Sequence, residues 1–290
     1  MKYRITHNTT YRYSEPASLS QNELFLHPRE TGKQKVLQRQ LEIVPDPQYL
    51  HRREDYFGNI AHVFMVQHPH KELSMTATSM VETFAPADLT QTATPAWEEA
   101  AHQLSRHEGP DELAAYQYVF PSPMITVPPE AVAYALTSFT PGRPVLEGAV
   151  DLMNRIFTEF TYDEAATTVD TGVEQVLACR KGVCQDFAHL AISCLRGLGL
   201  AARYVSGYLE TLPPPGKPKL IGADASHAWF SIYVPNLGWV DLDPTNNLTP
   251  GERHITLGWG RDYGDVTPVK GVVMGGGVHS LSVMVDVAAI

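Results

Sequence analysis

The stretch Arg180-Lys181-Gly182-Val183-Cys184-Gln185-Asp186-Phe187-Ala188-His189-Leu190-Ala191-Ile192-Ser193-Cys194-Leu195-Arg196-Gly197-Leu198-Gly199 decides how this chain reads. Its apolar positions Phe187, Leu190, Ala191, Cys194, Leu195 and Leu198 recur at intervals of three and four, the period of one helix face. Gly197 and Gly199 mark its end. The spacing therefore predicts a helix that begins at Cys184. A thiol at that position faces backbone N–H groups without intrahelical partners and the positive end of the helix dipole, both of which favour the reactive thiolate. Gly182 lets the backbone bend tightly just before it. Cys194 falls on the apolar stripe and reads as core, and Cys179 sits in a loop with no CxxC partner. Asp186 and His189 project from the polar side of the helix, where a solvated face is the ordinary expectation. Most free cysteines are small buried hydrophobes, so position alone does not make Cys184 a nucleophile.

The next informative segment lies downstream. From Ser226 to Val234 the residues alternate, with Ala228, Phe230, Ile232 and Val234 on one side and His227, Trp229, Ser231 and Tyr233 on the other. From Gly238 to Asp243, Val240 and Leu242 are apolar, while Trp239, Asp241 and Asp243 share the opposite face. Only Pro235-Asn236-Leu237 separates the two runs, a hairpin-length connection. If that loop sets the register, Asp243 faces Trp229 and lies diagonally from His227, with about 7–8 Å between backbones. A carboxylate and an imidazole bridge such a gap. Pro244 holds Asp243 extended and ends the strand. A nucleophilic thiol needs a base, and the base needs its second nitrogen held by an orienting acid. Cys184, His227 and Asp243 are the candidates for these three roles. Gln185, Asp186, Trp229 and Trp239 are the candidate substrate contacts, with the two indoles expected to wall the site.

These residues resemble the bacterial transglutaminase-like proteins, whose core chemistry is related to that of papain-type cysteine proteases. The resemblance rests on Arg180 to Ala188, on Ser226-His227-Ala228-Trp229, and on Gly238-Trp239-Val240-Asp241-Leu242-Asp243-Pro244-Thr245-Asn246, in that order. The opening strands look like the family's N-terminal β region. Gly260-Arg261-Asp262-Tyr263-Gly264-Asp265-Val266 resembles its C-terminal segment. The resemblance implies a Cys-His-Asp triad on Cys184, His227 and Asp243, with no metal and no organic cofactor.

Working outward, residues 1–85 read as strands: Leu37, Leu41 and Ile43 alternate with polar residues, as do Leu73, Met75, Ala77 and Val81, with the turn Phe57-Gly58-Asn59 between. The expectation is an N-terminal antiparallel β-sandwich with a structural or partner-binding role. Residues 86–142 read as a helical connector interrupted by Pro121, Pro123, Pro128 and Pro129. Residues 143–290 form the catalytic core with a C-terminal β segment. They open with a helix bearing Leu146, Ala149, Val150, Met153, Ile156, Phe157 and Phe160 on one stripe. A second short helix follows, where Thr171 and Glu174 have capping-box spacing. The fold class is α+β, with the nucleophile at a helix N-terminus packed on an antiparallel sheet. From Thr211 to Ala225, Pro213, Pro214, Pro215, Gly216 and Pro218 exclude regular structure, and a loop this long beside the proposed base reads as a lid.

With 290 residues, 43% of them hydrophobic, the chain supports two compact units. A formal net charge of −10 offers no broad basic field, which argues against nucleic acid and anionic lipid as partners. The N-terminal residues carry no apolar h-region, and no run of about 18 apolar residues occurs. A soluble, cytoplasmic protein with its three cysteines reduced is the expectation. The expected function is hydrolysis of amide or peptide bonds in a peptide or protein substrate through a thioester acyl-enzyme. The alternatives are transglutaminase-type transfer to an amine acceptor, an inactive binding module with the same fold, and a metal site built on the same three residues. Zinc sites usually draw two ligands from nearby positions, which these residues do not offer. Oligomeric state is not legible.

Overall fold

The computed structural model describes residues 1–86, 92–106, 108–211 and 226–290. Of the expected lid, 212–225 lie outside the described residues. Five strands open the chain: β1 (Lys2–Leu24), β2 (Gln34–Val44), β3 (Tyr49–Glu54), β4 (Ile60–Val66) and β5 (His70–Thr83). β1 is 23 residues long, enough to serve two layers. Its first half pairs with β5, and after a register break between Arg12 and Ala17 its second half pairs with β4. Phe64 and Val66 of β4 then meet Leu73, Met75 and Ala77 of β5, together with Leu24 and Ile43, in one apolar cluster. This is the expected sandwich. Leu37 is exposed, because it occupies the β-bulge between Val36 and Gln38 and drops out of the alternation.

Helices α1 (Trp97–Arg106), α2 (Pro110–Tyr116) and α3 (Pro129–Ser138) follow. Pro110 and Pro129 open their helices, where the missing N–H costs nothing. α3 is more than a link, since Ala131, Tyr134 and Ala135 enter the main core. The next elements are α4 (Val145–Glu159), β6 (Thr161–Tyr162), α5 (Val173–Cys179), β7 (Lys181–Gly182) and α6 (Cys184–Gly197). On α4 the buried stripe runs through Leu146, Ala149, Leu152, Met153 and Ile156, leaving Val150 and Phe157 exposed. The expected capping box does not form. Gly172 precedes α5, the Thr171 hydroxyl accepts from the Thr168 N–H, and Glu174 accepts from Thr126.

Strands β8 (Ala202–Leu209), β9 (Ser226–Val234), β10 (Gly238–Leu242) and β11 (His254–Gly260) form an antiparallel sheet in the order β10-β9-β8-β11. One face, carrying Ala202, Tyr204, Ala228, Phe230, Ile232, Val234, Val240 and Leu242, packs into the same core as α6. Beyond that core, Tyr208, Ile255 and Leu257 meet Tyr3, Ile5 and Val81 of the first sheet. The last strands, β12 (Val269–Gly275) and β13 (His279–Ala289), pair along β1. The C-terminal β segment thus completes the first sheet and is not an extension of the sheet formed by β8 to β11. A pairing between the two ends of a chain leaves no local trace in sequence.

α6 lies between helices and sheet, so every residue from Gln185 to Arg196 is buried. Asp186 and His189 are therefore interior, contrary to the solvated face expected for them. Each polar side chain has its own partner: Ser193 donates to the Thr126 carbonyl, and Arg196 donates to the carbonyls of Tyr118, Ala202 and Arg261. Gly199, with φ +75°, ends the turn after the helix in the left-handed region. Among the described residues no helix is long and apolar enough to cross a membrane. Cys194 is fully buried, and burial pushes its thiol up to about 12. Cys194→Ala should lower stability by about 1–2 kcal/mol through a small void. Chemical denaturation measures this, and turnover should be unaffected.

Candidate active site

Cys184 is the first residue of α6, with Val183 as N-cap. The Val183 N–H donates to Asp186 Oδ2 at 2.8 Å, and the Thr167 hydroxyl donates to the same oxygen at 2.7 Å. Burial raises the pKa of Asp186 and these two hydrogen bonds oppose that rise. A Cβ at Gly182 would press on the Asp186 side chain, so glycine there makes room for the cap. Gln185 Nε2 donates to the Val169 carbonyl at 2.9 Å. Gln185 and Asp186, 8% and 2% exposed, thus anchor the start of the helix and the preceding loop, their side-chain bonds directed inward.

His227 in β9 pairs with Gly207 in β8, and a Cβ at Gly207 would overlap the Ile255 carbonyl and the Trp229 ring. Leu242 lies opposite Phe230, and extending this register by one residue sets Asp243 opposite Trp229, as the hairpin length implied. His227 Nε2 and Asp243 Oδ2 are 2.7 Å apart. The carboxylate has no exposed surface and takes four further donors. Asn246 Nδ2 and His254 Nε2 reach Oδ2 at 2.8 and 3.1 Å, and the N–H groups of Thr245 and Asn246 reach Oδ1 at 2.9 and 3.2 Å. Burial alone would raise the pKa of this carboxylate, but the hydrogen bonds led by His227 and His254 hold it well below the usual range. At His227 burial works against the charged ring, yet hydrogen bonds to Asp243 and to Cys184 outweigh it and push the pKa up to about 10. With Nε2 committed to Asp243, Nδ1 is the nitrogen left for the thiol. Cys184, His227 and Asp243, the three residues expected to form a triad, are thus brought together, with His227 between the other two.

Residues 3–82 match the family model for the bacterial transglutaminase-like N-terminal region, and 133–244, which include all three residues, match that of the transglutaminase-like superfamily. An uncharacterized protein of Mycobacterium tuberculosis is 44% identical over 297 residues, covering 99% of this chain and 92% of its own. This chain belongs to the transglutaminase-like superfamily. A second superfamily relative, protein-glutamine gamma-glutamyltransferase of Pseudomonas aeruginosa, is 33% identical over 92 residues, 31% of this chain and 14% of that one. The solved structure of a "putative cysteine protease" from Cytophaga hutchinsonii shares the fold, with TM-score 0.79 at 23% identity over 99% of this chain and 90% of that one.

Neither indole walls the transglutaminase-like site. Trp229 packs against His227 at 6.0 Å and edge-on to His254 at 5.4 Å, but it is wholly buried and presents no surface of its own. Trp239 packs against Tyr118, Tyr233 and the Arg203 guanidinium. Their face of the sheet is turned toward the N-terminal sheet, which the alternation of β9 could not reveal. His189 accepts from the Tyr263 N–H and lies tilted against the Tyr204 ring, and burial lowers its pKa to about 4. Two residues that hold Asp243 escaped the sequence reading. Asn246 stood inside the quoted motif, where an Asp two and three residues ahead of free N–H groups signals a turn. His254 had no local signal.

Among the described residues His227, Asp243 and His254 form the one His/Cys/Asp/Glu cluster whose ligating atoms lie within 4.8 Å of one another. Both rings already hydrogen-bond to the carboxylate, so a cation would have to break those bonds. The imidazolium stabilises the fold fully below its unfolded pKa of about 6.5 and loses that contribution as pH rises through about 10. The depressed Asp243 contributes above about pH 4 and loses its contribution on acidification. The unfolding free-energy difference between wild type and His227→Gln should therefore be largest from about pH 4 to 6.5 and shrink toward pH 10. Denaturant titrations across that range check it, and a difference that grew with pH would contradict the assignment.

Proposed function

We propose that this chain hydrolyses amide or peptide bonds by cysteine nucleophilic catalysis. The observation that carries the reading is His227 held between a fully buried carboxylate and a cysteine at a helix N-terminus. His227 already holds the proton in the resting site, and the Cys184 sulfur attacks the carbonyl carbon as the thiolate. The backbone N–H of Cys184, without an intrahelical partner, donates to the oxyanion. As the C–N bond breaks, His227 gives its proton to the departing amine and a thioester remains. His227, now neutral, takes a proton from water as its oxygen attacks the thioester carbon, and the carbon–sulfur bond breaks to release the acid and restore the Cys184 thiolate beside protonated His227. Asp243 keeps the ring in the right tautomer throughout. The reacting residues are this chain's own, and the substrate is a peptide or protein.

Transfer of the acyl group to an amine is the second reading, supported by the likeness to the Pseudomonas aeruginosa gamma-glutamyltransferase segment. Water reaches any thioester that is not shielded from it, which favours hydrolysis. Profiling a peptide library with and without added primary amines separates the two, since transfer leaves an amine-extended product of higher mass. Cys184→Ala should abolish turnover and labelling by iodoacetamide at that site while leaving the melting temperature nearly unchanged. Turnover retained in that variant would end the proposal. Asp243→Asn should cut kcat by about 10⁴ with KM nearly constant, because the His227 tautomer is no longer held. If Asp241→Asn were the damaging change instead, the assignment of the orienting acid would be wrong.

A further inference from the structure

The face of the catalytic sheet turned toward the first sheet encloses a cavity of about 290 Å³, whose lining includes Lys33, Arg203, Trp239, Asp241, Thr256 and Trp259. None of Cys184, His227 and Asp243 lines it. Arg203 is 8% exposed, and its guanidinium lies over the rings of Trp239 and Trp259, 4.1 and 3.8 Å from their centroids. Among the described residues nothing accepts a hydrogen bond from it, and its Nε is buried without a partner. The carboxylate lining the same cavity, Asp241, has both oxygens engaged: Lys33 Nζ donates to one at 2.8 Å and the Ser231 hydroxyl donates to the other. Lys33 and Asp241 cancel in charge, so Arg203 leaves one positive charge uncompensated. Burial lowers its pKa only to about 10, and it is protonated at neutral pH. Buried arginines are almost always paired. With indoles over its faces, the reactive part of the group is its N–H edge, which matches a planar carboxylate in a bidentate fork.

We propose that this cavity binds a small carboxylate anion, held by the N–H edge of Arg203 and supported by Lys33. Its volume is near the lower end of the range of about 300–1,000 Å³ usual for small-molecule sites, so the ligand has few heavy atoms. Lys33, with 42% of its side chain exposed, can turn from Asp241 toward a second acceptor. Trp239 and Trp259 report occupancy through their fluorescence.

The test is titration of the intact protein with acetate, succinate and glutarate, followed by tryptophan fluorescence and calorimetry. Succinamide serves as the neutral isostere and inorganic phosphate as the tetrahedral oxyanion. Saturable binding of at least one carboxylate, absent with succinamide and weaker with phosphate, is the expected result. Arg203→Lys keeps the charge but loses the fork, and should bind at least about tenfold more weakly. Because Arg203 is packed between rings, Lys33→Met, at the more exposed position, provides a second variant expected to weaken binding about threefold or more. The rate of Cys184 alkylation should be the same in wild type and Lys33→Met, which keeps this site separate from the proposed chemistry. No saturable binding of any of the three carboxylates, an equal response to succinamide, tighter binding of phosphate, or undiminished binding by Lys33→Met would overturn the proposal.

Discussion

The arrangement of the site depends on the burial of one carboxylate. Asp243 has no exposed surface, and an ion stripped of water costs several kcal/mol unless its oxygens are satisfied. Five donors satisfy it, from β9, from β11 and from the turn at Thr245 and Asn246. Each donor thereby becomes fixed in position as well. His227 is oriented because a buried anion requires it, and the nitrogen left over meets Cys184. His254 and Asn246 belong to the same requirement, although neither is placed to touch a substrate through these bonds.

Burial has the same consequence on α6. A helix buried from Gln185 to Arg196 can carry polar residues only where each finds a partner. Asp186 caps the first turn and ties Thr167 to it, Gln185 holds the Val169 carbonyl, and Arg196 gathers the carbonyls of Tyr118, Ala202 and Arg261. The position of Cys184 is thus set by its neighbours' internal bonds. The residues that follow Cys184 in sequence are committed to these internal bonds.

The N-terminal sheet does more than precede the catalytic unit. It packs Tyr3, Ile5 and Val81 against Tyr208, Ile255 and Leu257 of the sheet β8 to β11, and it sends Arg29 onto the Trp259 ring at 3.3 Å. Arg203 lies over the same ring, and two guanidinium groups that close to one centroid must take opposite faces. The alternation of Arg29, Trp259, Arg203 and Trp239 bridges the two sheets through cation–π contacts, each worth about 0.5–2 kcal/mol. The contact between the sheets makes an interior of residues that would otherwise line a groove, and the cavity beside Arg203 is what the two surfaces leave unfilled.

Local sequence settled what depends on near neighbours. The period of Phe187, Leu190, Ala191, Cys194 and Leu195 determined a helix opening at Cys184, and the alternation of β9 and β10 with a three-residue connection determined the register that sets Asp243 beside His227. Both are matters of a few residues and fixed backbone periods. Tertiary structure alone decided which faces were covered. His189 and Asp186 read as a solvated face, and Trp229 as a wall of the site, because period distinguishes two sides of an element without saying what packs on the second. The return of β12 and β13 to β1, and the arrival of His254 at Asp243, join segments whose contact costs loop entropy but writes no pattern into the intervening residues.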